Sequence, residues 1–215
     1  MKARFQFLCL LLTCFISSTL FAQIPVAPNR NAGDGPYNQL IIRGVTMING
    51  TGAPALGPVD IVIENNRIVK IVTVGSERNP INPARRPKLA ANGKEIDATG
   101  MYALPGLIDM HTHIGGVEQG TPAEYVYKLW MAHGITTVRD PSAGNGLPWV
   151  LEHKRKSAAN EITAPRLLAY TAFGMGAKAP ITTAEQAKAW VNENKAKGAD
   201  GIKFFGAKPE VMEAA

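Results

Sequence analysis

The chain has 215 residues, with 23 Lys and Arg against 17 Asp and Glu, a formal net charge of +6 and 46% hydrophobic residues. That is enough length and apolar content for a sizeable core, and the basic residues are spread thinly apart from Arg85-Arg86-Pro87-Lys88, so the charge pattern gives no case for nucleic-acid binding. The two cysteines, Cys9 and Cys14, both lie in the first apolar stretch, which excludes a fold stapled by disulfides once that stretch is removed.

In chain order, residues 1–22 have the layout of a signal peptide: Lys2 and Arg4 at the start, an apolar run, then Ala22 as a small residue for cleavage. Export to the periplasm or the exterior is the expected fate. The run is about 17 residues long and contains Thr13, Ser17, Ser18 and Thr19, which is marginal for a spanning helix. No stable membrane anchor is therefore expected after cleavage. Leu11-Leu12-Thr13-Cys14 fits a lipoprotein signal poorly because of its threonine. Residues 23–37 mix Pro, Asn, Gly and Ala without periodicity and read as a linker.

Residues 38–100 read as a small β unit. Runs rich in β-branched residues cover 40–48, 60–64 and 67–72, the last two joined at Asn65-Asn66 as a hairpin, and a short strand is expected at 94–97.

Next comes Pro105-Gly106-Leu107-Ile108-Asp109-Met110-His111-Thr112-His113. On a strand, the i, i+2 spacing turns both imidazoles and Asp109 to one face, with Ile108, Met110 and Thr112 on the other, where a helix would cover them. Two such histidines form either a chelating pair or two ordinary hydrogen-bonded side chains. Thr121-Pro122-Ala123-Glu124 reads as a helix start with Thr121 as N-cap and Glu124 completing a capping box. Strand and helix then alternate: strand 135–140, helix 147–159, strand 166–170, helix 183–197 and strand 199–205, at intervals of roughly thirty residues, as in right-handed βα units. Residues 209–215 read as the first turn of another helix. Three polar residues are kept apart from the site. His133 is expected to cap a helix end, His153 to lie on a solvated helix face, and Arg139 either to reach the mouth of the sheet or to form a rim salt bridge.

The stretch from Pro105 to His113, preceded by Ile96-Asp97-Ala98-Thr99-Gly100, resembles the first barrel strand of the amidohydrolase superfamily of metal-dependent hydrolases. The resemblance implies an α/β fold: the N-terminal part of a TIM-like (β/α)8 barrel, about four βα units at 101–215, preceded by a small β-sandwich portion at 38–100. It also implies that His111 and His113 are metal ligands. Asp109 is placed to accept a hydrogen bond and orient one of their rings.

Gly198-Ala199-Asp200-Gly201-Ile202-Lys203-Phe204-Phe205 resembles the fourth barrel strand of the branch related to imidazolonepropionase and Xaa-Pro dipeptidases. As a residue alone, Lys203 is either a side chain reaching from a strand end to water or an ammonium buried at a cost. The resemblance implies a third role, a carbamylated lysine bridging two zinc-like ions. The implied activity is hydrolysis of an amide, cyclic amide or dipeptide C–N bond through a metal-activated water. No catalytic acid or base is identified in these residues, because the resemblance puts that aspartate, with two further histidines, beyond residue 215. The 215 residues are expected to be the first half of such an enzyme and inactive alone. The alternatives are a mononuclear deaminase-like hydrolase with Lys203 uninvolved, or a catalytically inactive truncated half-barrel. The partner expected is a small molecule or dipeptide, and oligomeric state is left open.

Overall fold

The computed structural model describes residues 35–215. The expected signal peptide at 1–22 and most of the expected linker at 23–37 lie outside the described residues.

The first sheet contains β1 (Gln39–Met47), β2 (Leu56–Glu64), β3 (Arg67–Thr73), β4 (Lys94–Asp97) and β5 (Tyr102–Ala103), in the order β3-β2-β1-β4 with β5 also on β1. β1, β2 and β3 pair antiparallel, whereas β4 and β5 run parallel to β1. Alternation places Val45, Val59 and Ile61 together with Ala98 in one buried cluster. The β2–β3 hairpin turns at Asn65-Asn66, and Asn65 takes a φ of 55°, a conformation that asparagine tolerates better than most residues.

A bulge interrupts β1 between Ile42 and Val45. Gly44 there has a φ of 70°, and a Cβ on it would lie 2.7 Å from Thr99 Oγ1, so a side chain is excluded on two counts. The bulge points the Gly44 N–H at Asp60 Oδ1 (2.8 Å), while Arg43 Nη1 donates to Asp60 Oδ2 (3.0 Å) and its Nε and Nη2 donate to Glu95 Oε2 on β4 (3.0 and 2.8 Å). One buried carboxylate thus ties β1 to β2, and the arginine extends the tie to β4.

Four βα units follow: β6 (Leu107–Asp109), α1 (Ala123–Ala132), β7 (Ile135–Asp140), α2 (Leu147–Ala158), β8 (Arg166–Ala172), α3 (Ala184–Lys197), β9 (Gly201–Lys203) and α4 (Pro209–Ala214). The strands form one parallel sheet in the order β6-β7-β8-β9. Val138, Leu167 and Ala169 meet Tyr127 of α1 and Val150 of α2 in a buried core. α3 begins with a full capping box between Thr183 and Gln186 and ends at Gly198 in the left-handed region.

Two expectations are corrected. α1 starts at Ala123 with Pro122 as its N-cap and no side-chain cap, so Thr121 and Glu124 form no capping box. The Thr121 backbone is engaged in a bridge to Gly116, whose N–H donates to Thr121 O (2.7 Å). Nor are Ile108 and Met110 covered by a helix. They are 61% and 49% exposed, because α1 packs on β7 and β6 is the edge strand.

Candidate metal centre

The histidine pair is built by a turn rather than by a strand. β6 stops at Asp109, whose Oδ1 accepts the backbone N–H of His111 (2.9 Å), a local bond that pulls the chain out of the ladder. Contact with β7 resumes at Thr112, whose N–H and Oγ1 both donate to Arg139 O (3.0 Å each). Thr112 is buried, and the residues on either side of it carry their rings together: the His111 and His113 centroids are 5.7 Å apart with a tilt of 46°. Asp109 is therefore engaged with the backbone of His111. The hydrogen bond that Asp109 accepts here comes from the His111 backbone.

Lys203 ends β9 at the C-terminal end of the same parallel sheet, three strands from β6. It pairs with Ala172, and along β8 Ala172 shares a face with Tyr170 and Leu168. Arg139, opposite Leu168, shows its guanidinium to the Tyr170 ring at 5.0 Å and donates from Nε to Met110 O (2.6 Å). It reaches across the mouth of the sheet, with a backbone carbonyl and an aromatic face as partners. Lys203 is half-buried, its Nζ lies 5.5 Å from the Phe205 ring, and Phe205 is itself 80% exposed. The structure thus brings the two histidines together, with Lys203 at the C-terminal end of the same sheet. Among the described residues, no three His, Cys, Asp or Glu side chains converge as a metal-binding group. The two imidazoles fit as a ligand pair, short of the three protein ligands that a zinc site ordinarily takes.

Two carboxylates beside His113 were not singled out from the sequence. Glu118 Oε1 lies 3.5 Å from His113 Nδ1. Asp140, at the C-terminal end of β7, is 1% exposed; its Oδ1 accepts from the N–H groups of Ser142 (3.1 Å) and Ala143 (3.0 Å), and its Oδ2 is buried without a partner. Burial pushes the Asp140 carboxyl above its usual range, the two N–H donors work against that, Glu118 adds to it and His113 opposes it. The position of Asp140 at a strand's C-terminal end was the available signal. Glu118 sits in a glycine-rich loop with no diagnostic spacing.

The remaining histidines lie elsewhere. His133 caps α1 as expected, with Nδ1 2.8 Å from Leu129 O. His153 is not on a solvated face: it stacks on Trp149 at 3.8 Å and its Nδ1 meets the Tyr127 hydroxyl at 2.8 Å.

No protein-family model matches the chain. Over 131 residues, 57% of its length, it is 36% identical to adenine deaminase 2 of Rhizobium etli, and over 102 residues, 46% of its length, it is 36% identical to a dihydroorotase of a Thermoanaerobacter species. Among solved structures, a Xaa-Pro dipeptidase superposes on 77% of the chain with a TM-score of 0.55 at 21% identity, a likeness of fold. These proteins all belong to the amidohydrolase superfamily. The chain is similar to part of these amidohydrolases. It spans 19% and 20% of the two curated relatives and 46% of the dipeptidase. The four βα units correspond to part of the amidohydrolase barrel, and divalent metals are the general cofactors of that superfamily.

Proposed function

We propose that this chain forms the metal-binding N-terminal part of an exported hydrolase acting on C–N bonds, with His111 and His113 as ligands to a zinc-like divalent ion. The observation that carries this reading is the paired imidazoles, 5.7 Å apart at the C-terminal edge of a parallel sheet, where barrel enzymes do their chemistry. A divalent ion held there would supply Lewis-acid activation of water and of the scissile carbonyl. Lys203, on the same edge, joins as a carbamate in the binuclear version, and the substrate is then an amide, cyclic amide or dipeptide. The mononuclear version leaves Lys203 unmodified and acts as a deaminase-like hydrolase. It draws support from the several curated relatives named adenine deaminase. Removal of residues 1–22 during export to the periplasm or the exterior completes the proposal.

Zinc titration against a chromophoric chelator tests the site. His111→Ala or His113→Ala is expected to weaken whatever zinc the chain holds by more than about 100-fold. Unchanged affinity in both variants would overturn the metal reading. Intact mass at high bicarbonate, with and without zinc, decides the fate of Lys203: addition of one carbon dioxide supports the binuclear version, and its absence supports the mononuclear one.

A further inference from the structure

The geometry points to Glu118 as the positioning residue of His113, an assignment that rests on the metal reading above. A liganding imidazole ordinarily directs its second ring nitrogen at a carboxylate or carbonyl, which fixes both tautomer and orientation. The carboxylate nearest in sequence, Asp109, is held by the His111 backbone. Glu118 faces the ring instead, with Oε1 3.5 Å from Nδ1.

The surroundings of Glu118 seat it. Its N–H donates to Asn145 Oδ1 (2.9 Å), and Asn145 Nδ2 donates to Gly115 O (2.6 Å), so the loop after β6 is clamped to the loop after β7. Two glycines leave room for the clamp. A Cβ on Gly144 would collide with the Glu118 carboxylate, and one on Gly116 would stand 2.6 Å from Asn145 Oδ1. The carboxylate therefore lies against the backbone of Gly144 in the neighbouring loop, beside His113.

The chemical consequence concerns a single proton. An ionised carboxylate only accepts hydrogen bonds, so a neutral ring facing one keeps its proton on Nδ1 and leaves the Nε2 lone pair for a cation.

Nitrogen-15 NMR of the histidine-labelled 215-residue chain, at a pH where the rings are neutral, reads the tautomer without any metal. Of the four histidines, His133 is an internal standard, because its Nδ1 faces a carbonyl oxygen and must carry the proton. His113 is expected to match the His133 pattern in the wild type. It should keep that pattern in Glu118→Gln, whose amide oxygen still accepts, and in the control Asp109→Asn, and shift toward the Nε2–H form in Glu118→Ala. Gly144→Ala, which displaces the carboxylate from the other loop, should do the same, and unchanged His133 and His153 signals would certify the fold in each variant. Zinc affinity is the second readout, with a loss of about 10- to 100-fold expected for Glu118→Ala and a smaller one for Glu118→Gln. A His113 tautomer that is the same in wild type and in Glu118→Ala, or one that moves in Asp109→Asn instead, would overturn the assignment. Failure of the metal reading is separable: zinc affinity would then be indifferent to His113→Ala, while the tautomer would still follow Glu118.

Discussion

At the scale of single residues, His153 shows how burial rewrites a sequence-level assignment. Its neighbours within helix α2, Lys154, Arg155 and Lys156, suggest a wet face. The ring nevertheless stacks on Trp149, four residues earlier, and meets Tyr127 on α1. Burial depresses its pKa below the usual 6.5, Glu124 and Glu152 pull it upward and Lys156 pushes it down. A histidine whose folded value is depressed binds fewer protons folded than unfolded. Its contribution to stability is complete above the unfolded value and is lost as pH falls through the folded one. The urea midpoint should therefore drop more steeply between about pH 7 and about pH 5 in the wild type than in His153→Gln. Parallel curves for the two proteins would refute the coupling. Tyr127→Phe removes the hydroxyl and is expected to cost about 1 kcal/mol at neutral pH, read from the same denaturation curves.

At the scale of elements, the most consequential polar group in the first sheet is Asp60. It is fully buried, accepts from the bulge at Gly44 and from Arg43, and has no role in any site. Asp60→Ala would remove one buried partner of Arg43, which keeps its bonds to Glu95 and Pro87 O, and a loss of about 3 kcal/mol is expected. Asp60→Asn should cost less, because its oxygen still accepts the Gly44 N–H. Equilibrium unfolding of the two variants checks the order, and equal losses would contradict it. The strands on either side of this pair were legible in the sequence, since β-branched runs broken by Asn-Asn and Pro-rich stretches specify strands whatever they pack against. The helices were legible for a similar reason, namely apolar spacing and a glycine stop at Gly198. What could not be read were events decided by a distant partner. Thr121 lost its cap role to a bridge with Gly116, and β6 ended early because Asp109 bonded locally. The His111–His113 pairing was legible as residue types and spacing, although the alternation of a strand was the wrong reason for it. Glu118 reaches His113 only through a clamp to Asn145, which no local pattern announces.

At the scale of the whole molecule, the parallel sheet presents two open edges among the described residues, since β6 and β9 each pair on one side only. Open edges expose backbone donors and acceptors that recruit other strands. Here the side chains reinforce that tendency: Leu107 and Ile108 on the β6 edge are 58% and 61% exposed, and Phe205 beside the β9 edge is 80% exposed. Because all four strands run in one direction, β9 of one copy can extend β6 of another in parallel, and repetition of that step makes rings or larger assemblies. The purified chain is therefore expected to sediment as a concentration-dependent mixture larger than a monomer. Ile108→Lys places a charge on the edge at a site exposed enough to cost the fold no more than about 0.5 kcal/mol, and it should shift the distribution toward monomer. A control at Val117, which is 97% exposed but lies in the loop after β6, outside the strand ladder, should leave the distribution unchanged when replaced by Lys. Were the wild type monomeric at every concentration, or the Ile108 and Val117 variants equally effective, association would have to be driven by something other than the sheet edges.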